Sequence, residues 1–92
     1  MQQLRHLARL YFHQDWDIEA DTPIEALVNF RRDESSQRVT ALRAELLEIL
    51  SSNPDEGALE RTWDRAGAEW DPEVTNWGTY REWFNAMLKA VS

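Results

Sequence analysis

The sequence contains no cysteine, only three glycines and three prolines, and no long apolar run. The absence of cysteine excludes disulfides, thiolate zinc sites and a thiol nucleophile. No segment approaches the roughly 18 uncharged apolar residues that a membrane span requires. The N-terminal segment carries Arg5, His6 and Arg9 among its leucines, so it lacks the apolar core of a signal peptide. We therefore expect a soluble, cytoplasmic chain.

Basic side chains are also scarce, because 10 Lys and Arg residues stand against 17 Asp and Glu residues and give a formal net charge of -7. Proteins that bind a nucleic-acid backbone need clustered Lys and Arg. The charge balance therefore argues against direct nucleic-acid binding and favours a basic partner. A length of 92 residues, 42% of them hydrophobic, suits one small domain over residues 1–92.

Three capping patterns mark helix starts. Thr22 to Glu25 reads as an N-cap threonine, a proline at the first helical position and a capping-box glutamate. Asn53 to Glu56 repeats this order with Asn53 as the cap, and Thr79 to Glu82 is a further capping box. Each pattern stands directly before apolar residues at helical spacing, which predicts a helix after each one.

Apolar spacing predicts about five helices in all. The expected buried residues of these helices are, in chain order, Leu4, Leu7, Ala8 and Tyr11; Ile24, Leu27, Val28 and Phe30; Val39, Leu42, Leu46, Ile49 and Leu50; Leu59, Thr62, Trp63 and Ala66; and Tyr80, Trp83, Phe84, Met87, Leu88 and Val91. Gly67 is placed to end the fourth helix in a left-handed conformation. No window alternates with a period of two, so the predicted fold is all-α, with irregular connectors over 12–21 and 68–78.

The first connector carries four carboxylates at alternate positions: Asp15, Asp17, Glu19 and Asp21. In an EF-hand loop beginning at Asp15, alanines would replace the required turn glycine and the final glutamate, so no calcium site is predicted. His13 and Asp15, together with His6, supply only part of an iron site, and no further ligand is marked by spacing. We therefore expect neither a metal nor another cofactor.

Catalysis by this connector is also disfavoured. His6 and His13, or a pair of carboxylates, have the chemistry for acid–base work on a phosphodiester. Such a substrate is anionic and is repelled by the net charge, and a chain this short has little room for a deep pocket. The sequence therefore predicts a protein that is not an enzyme. The structural interpretation is that Phe12 and Trp16 cover the core while the carboxylates favour the next helix start.

A second acidic region runs from Asp55 to Glu73 and has a local charge of -5, from seven acidic and two basic residues. One interpretation is a solvated helix face, and the other is a docking surface for a basic protein. Trp70 and Trp77 lie in its irregular part. They are either loop residues inserted into the core or anchors of an interface.

Two blocks of the sequence carry a family resemblance. The first follows the leucine-bearing first helix and reads Tyr11-Phe12-His13-Gln14-Asp15-Trp16-Asp17. The second comprises Gly67, then Trp70-Asp71-Pro72, a short loop, and Thr79-Tyr80-Arg81-Glu82-Trp83. Together with the helix pair between them, these blocks resemble the immunity proteins of bacterial contact-dependent growth inhibition systems. The chain departs from that pattern at Trp70, where a smaller aromatic residue is expected, and at Trp77, which adds bulk to the loop.

The resemblance implies a small monomeric cytoplasmic antidote that binds a cognate toxin domain, often a basic nuclease, and blocks its action. Family-identifying residues can build the scaffold, which is the role expected of Tyr11, Phe12, Asp15, Trp16, Asp17, Tyr80 and Trp83. The predicted partner-binding residues are Glu19, Asp21, Asp55, Glu56, Glu60, Asp64 and Asp71. The alternative function is an acidic helical adaptor that recruits another basic protein.

Overall fold

A computed structural model describes all 92 residues and contains helices only. The helices are α1 (Gln2–Tyr11), α2 (Trp16–Glu19), α3 (Pro23–Asp33), α4 (Ser36–Ser51), α5 (Glu56–Ala66) and α6 (Tyr80–Ala90). Helix α1 packs against α3, α4 and α5, and α6 packs against the same three helices. The prediction of an all-α fold is confirmed. No helix is both long and apolar enough to cross a membrane.

Two of the three predicted caps occupy the expected positions. The Thr22 side chain accepts a hydrogen bond from the Glu25 amide, and Thr79 and Glu82 form a reciprocal capping box. The third prediction is wrong in its residue: α5 is capped by Asp55, which accepts from the Ala58 amide, and Asn53 instead adopts a left-handed φ of 50°. Both residues favour capping positions, and Pro54 separates them, so the sequence pattern alone did not distinguish them. Gly67 ends α5 with a φ of 96°, as predicted.

The helix count is corrected from about five to six, because the short helix α2 lies inside the predicted first connector. The Trp16 amide donates to the His13 carbonyl, and the Ile18 amide donates to the Asp15 carbonyl, which turns the chain here. Four residues are too few to display an apolar period, so the sequence pattern gave no sign of this helix.

The prediction that Ile24 and Val28 are buried is wrong. Ile24 is 43% exposed and Val28 is 54% exposed, whereas Leu27 and Phe30 lie in the core. Successive helical residues turn by about 100° around the axis, so Ile24 and Val28 lie together on a flank beside the packed face of α3. The small Ala26 completes that packed face and brings the helix backbone close to the core.

Aromatic rings fill the centre of the single core, which contains 19 buried hydrophobic residues. The Phe12 ring lies 5.1 Å from the Trp83 ring, 5.5 Å from Trp63 and 5.7 Å from Trp70, measured between centroids. The Trp63 and Trp83 rings meet Phe12 edge-to-face, which is favourable beyond simple burial, and the Trp70 ring is tilted by 36°. Trp16 covers this cluster, with its ring 6.1 Å from Phe12, which agrees with its predicted packing role.

The second connector is fixed to the core by the same aromatic residues. Trp70 is buried, and its carbonyl accepts a hydrogen bond of 2.9 Å from the Trp63 indole nitrogen. Trp77 is half-buried and stacks edge-on against Trp83 at 5.4 Å. The Glu69 amide donates to the Phe12 carbonyl, which joins the two connectors. Of the two interpretations of Trp70 and Trp77, the structure places Trp70 in the core and packs Trp77 against it.

Candidate protein-binding surfaces

One flank of α5 carries carboxylates at four-residue intervals: Glu56, Glu60 and Asp64. Residues four apart lie on the same side of a helix, so these three side chains share a surface. Glu73, in the loop before α6, lies near enough to Glu56 and Glu60 for their charges to raise its pKa, and its amide bonds to the neighbouring Asp71. We call these five residues the acidic flank. The structure thus brings together most of the second acidic region.

Asp71 is held in place by three donors. Its Oδ2 accepts from the Tyr80 hydroxyl at 2.7 Å, and its Oδ1 accepts from the amides of Glu73 at 2.8 Å and Val74 at 2.9 Å. Partial burial acts to raise the pKa of Asp71, but these hydrogen bonds favour the ionised form and bring the pKa below its ordinary value. The pKa of the Tyr80 hydroxyl is raised, first by burial and then by its bond to this carboxylate. The pair therefore fixes the loop to α6 through a charged hydrogen bond.

Glu56 caps a helix other than its own. Its two carboxylate oxygens accept from the amides of Tyr80 and Arg81, each at 2.8 Å, in the first turn of α6. A carboxylate at a helix N-terminus satisfies free amides and opposes the positive end of the helix dipole. Asp55 has a comparable local role, since it accepts from the Ala58 amide at 2.8 Å. Three predicted partner-binding residues, Asp55, Glu56 and Asp71, thus also stabilise the fold.

The remaining carboxylates of the acidic flank are free of such bonds. Glu60, Asp64 and Glu73 are exposed and form no ion pair within the chain. The pKa of Glu73 is raised by partial loss of solvation and then by the negative charges of Glu60, Glu56 and Asp71. Such mutual repulsion means that the negative charge of this surface is not neutralised by the chain itself. Glu73 was not among the predicted binding residues, although it ends the acidic region that the sequence shows.

The first connector presents its carboxylates differently. Asp15, Asp17, Glu19 and Asp21 are all exposed, and none forms an ion pair within the chain. Asp15 occupies the N-cap position of α2, but its side chain accepts no capping hydrogen bond. We call these four residues the first acidic segment. Glu19 and Asp21, which were predicted to bind a partner, lie here and not on the acidic flank.

Tyr11 belongs to a polar network that ties α1 to the end of α3. Its hydroxyl donates to Glu34 Oε2 at 2.5 Å, and Glu34 Oε1 lies 3.0 Å from His6 Nε2 and 3.1 Å from Arg38 Nε. Burial acts to raise the pKa of Glu34, but the bonds from Tyr11 and His6 and the charge of Arg38 bring it below its ordinary value. Glu34 connects residues distant in the chain, so no local sequence signal marked it.

The two histidines lie apart and have separate partners. His6 bonds to Glu34, whereas His13 Nδ1 accepts from the backbone amide of Asp15 at 3.1 Å. No three His, Asp or Glu side chains come close enough together to share a metal ion. A small cleft of about 110 Å³ between α2 and α3 is lined in part by Glu19, Arg32 and Asp33, and Arg32 and Asp33 pair with each other there.

Comparison with known proteins gives one match. A family model described as CdiI immunity protein matches residues 1–91. Neither a curated protein nor a solved structure matches the chain. The family match covers both sequence blocks that carry the resemblance, and the structure shows that the aromatic residues of those blocks meet in one core. The chain therefore belongs to the CdiI immunity protein family.

Proposed function

We propose that the chain binds the cognate toxin domain of a contact-dependent growth inhibition system in the cytoplasm, and that this toxin is a basic nuclease. Membership in the family implies a toxin-neutralising role. The observation that supports a basic target is the acidic flank, where Glu60, Asp64 and Glu73 are exposed and unpaired. We propose the acidic flank as the main docking surface for the toxin.

The arrangement of the acidic flank suits this role. Glu56 and Asp71 are both held by hydrogen bonds from Tyr80, so part of the surface is ordered before a partner arrives. Preorganised charge lowers the cost of binding, because fewer side chains need to be immobilised. A nuclease must attract phosphates with basic residues, and the acidic flank offers carboxylates to those same residues. Complementary charge of this kind accelerates association and selects the partner.

The direct test is a calorimetric titration of the chain with the purified toxin domain encoded beside it. We expect a one-to-one complex whose affinity falls as salt rises, because added ions screen charges beyond about 10 Å at 0.1 M. Co-expression should restore growth to cells that make the toxin, and the added chain should stop nucleic-acid degradation by the toxin. The absence of both a complex and growth rescue would contradict the proposal.

A charge reversal separates specific docking from a general effect of net charge. Glu60→Lys changes the centre of the acidic flank, whereas Glu48→Lys makes the same change at an exposed residue of α4. We expect Glu60→Lys to weaken toxin binding by at least about tenfold and Glu48→Lys to leave it nearly unchanged. Equal weakening by both variants would mean that the acidic flank is not the docking surface, although the antidote role would stand.

A further inference from the structure

Helix α5 also carries two arginines, which lie to one side of its acidic carboxylates. Arg61 and Arg65 stand four residues apart there, and Arg5 and Arg9 have the same spacing on the neighbouring helix α1. All four side chains are exposed, and none forms an ion pair within the chain. Arg5 and Arg65 line the same cleft, so a protein with a net charge of -7 carries a small basic surface between α1 and α5. Nothing in the toxin-binding role proposed above uses this surface.

A cleft of about 350 Å³ lies within the basic surface, between α1, α4 and α5. Its apolar lining is formed by Met1, Leu4, Ile49 and Ala66. Arg5 from α1 and Arg65 from α5 also line the cleft, so it combines an apolar floor with two guanidinium groups. The nearby carboxylate of Glu45 accepts from the amides of Gln3 and Leu4 and forms no ion pair with Arg5. The cleft therefore suits an aliphatic side chain that stands between two carboxylates.

The chain itself contains such a segment. Ile18 on α2 is 79% exposed, which is unusual for a large aliphatic residue, and its neighbours are Asp17 and Glu19. Both neighbouring side chains are exposed and unpaired. No residue of α2 lines the cleft, so the segment and the cleft do not meet within one copy.

We propose that a second copy of this chain docks its Asp17–Glu19 segment into the cleft, with Ile18 on the apolar floor and the two carboxylates beside Arg5 and Arg65. Burial of Ile18 removes apolar surface from water, and the paired charges set the orientation. The contact is small, so the association is weak and appears only at high protein concentration. It is independent of the toxin and goes beyond the monomer expected from the sequence.

Sedimentation velocity over a concentration series provides the test, with two charge-reversed variants. In Asp17→Arg/Glu19→Arg the segment becomes basic, and in Arg5→Glu/Arg65→Glu the cleft becomes acidic. We expect the mean mass of the unmodified chain to rise with concentration and each variant alone to stay monomeric. An equimolar mixture of the two variants should associate again, because each segment then faces a cleft of opposite charge. The proposal would be overturned if the unmodified chain stayed monomeric at the highest concentration, or if the equimolar mixture of the two variants stayed monomeric.

A matched pair of apolar substitutions identifies the docking residue. Ile18→Ser should abolish the association. Val74→Ser should leave it intact, although Val74 is 83% exposed and also adjoins an acidic residue, Glu73. Both residues point into solvent, so the helical circular dichroism spectrum should not change. Loss of association in Val74→Ser, or its persistence in Ile18→Ser, would remove α2 from the interface.

Discussion

The acidic flank and the first acidic segment are both rich in carboxylates, yet the chain uses those carboxylates differently. In the acidic flank, Glu56 and Asp71 accept five hydrogen bonds from the backbone and from Tyr80. In the first acidic segment, no carboxylate forms an ion pair, and Asp15 does not cap the helix that follows it. Acidic composition alone therefore does not reveal whether a carboxylate serves the fold or remains available to a partner. The role of a carboxylate depends on whether backbone amides or hydroxyls lie close enough to donate hydrogen bonds to it.

Asp71 should contribute more to the free energy of unfolding than any carboxylate of the first acidic segment. Asp71→Ala should lower the free energy of unfolding by about 3 kcal/mol, because it removes a charged acceptor and leaves the buried Tyr80 hydroxyl without its partner. Urea denaturation followed by tryptophan fluorescence would measure the loss. The matched control is Asp17→Ala in the first acidic segment, which should change stability by less than about 0.5 kcal/mol. An equal loss of stability in Asp71→Ala and Asp17→Ala would mean that the hydrogen bonds to Asp71 do not stabilise the fold.

Acidification should lower the free energy of unfolding by a smaller amount, through Asp71 and Glu34. The folded chain holds the pKa of Asp71 and Glu34 below their ordinary values of 3.8 and 4.5. Their contribution is therefore present above these ordinary values and is lost as the pH falls through the lower folded values. Urea denaturation at a series of pH values from about 6 to about 2 would follow this change. The free energy of unfolding should fall less steeply with falling pH in Asp71→Asn than in the unmodified chain. An equally steep fall in both would show that Asp71 does not contribute to the pH dependence.

Glu56, the other hydrogen-bonded carboxylate of the acidic flank, is tested by removing its cap on α6. Glu56→Ala should lower the free energy of unfolding by about 1 kcal/mol, since it frees the amides of Tyr80 and Arg81. Glu60→Ala, one turn further along the same helix, removes an equal charge but no hydrogen bond, so it should be nearly neutral. A Glu60→Ala variant as unstable as Glu56→Ala would mean that helix electrostatics, and not the cap, causes the loss.

The smallest effect on stability is expected in the first acidic segment. The combined substitution Asp17→Asn/Glu19→Gln/Asp21→Asn should change the free energy of unfolding by less than about 0.5 kcal/mol, because exposed residues without partners contribute little. Thermal denaturation followed by circular dichroism would show an almost unchanged midpoint. A loss of several degrees would reveal a structural role for these carboxylates.

Local sequence signals predicted the parts of the fold that depend on neighbouring residues. Thr22 and Thr79 were placed correctly because a cap and its recipient amide stand three residues apart. Phe12, Tyr80 and Trp83 of the two family blocks were likewise assigned a structural role, and all three are fully buried. The sequence left Trp70 open between a core role and an interface role.

Contacts between distant residues were not predictable in this way. Glu45 caps α1 across about 42 residues, and Glu56 caps α6 across about 24, so neither partner is visible in a short window. The exposure of Ile24 and Val28 depends on which side of α3 meets the core, and the apolar pattern of α3 fits two neighbouring sides. The composition of the acidic flank was visible in the sequence, but the division of its carboxylates between the fold and solvent required the structure.

The most direct test of toxin docking is a paired titration of the toxin domain with two variants that each remove three negative charges. Glu60→Gln/Asp64→Asn/Glu73→Gln neutralises the exposed part of the acidic flank, and Asp17→Asn/Glu19→Gln/Asp21→Asn neutralises the first acidic segment by the same amount. We predict that the first variant weakens binding by about a hundredfold, and the second by less than about threefold. Equal affinities of the two variants, or a greater loss in the second, would contradict the assignment of the acidic flank as the toxin-docking surface.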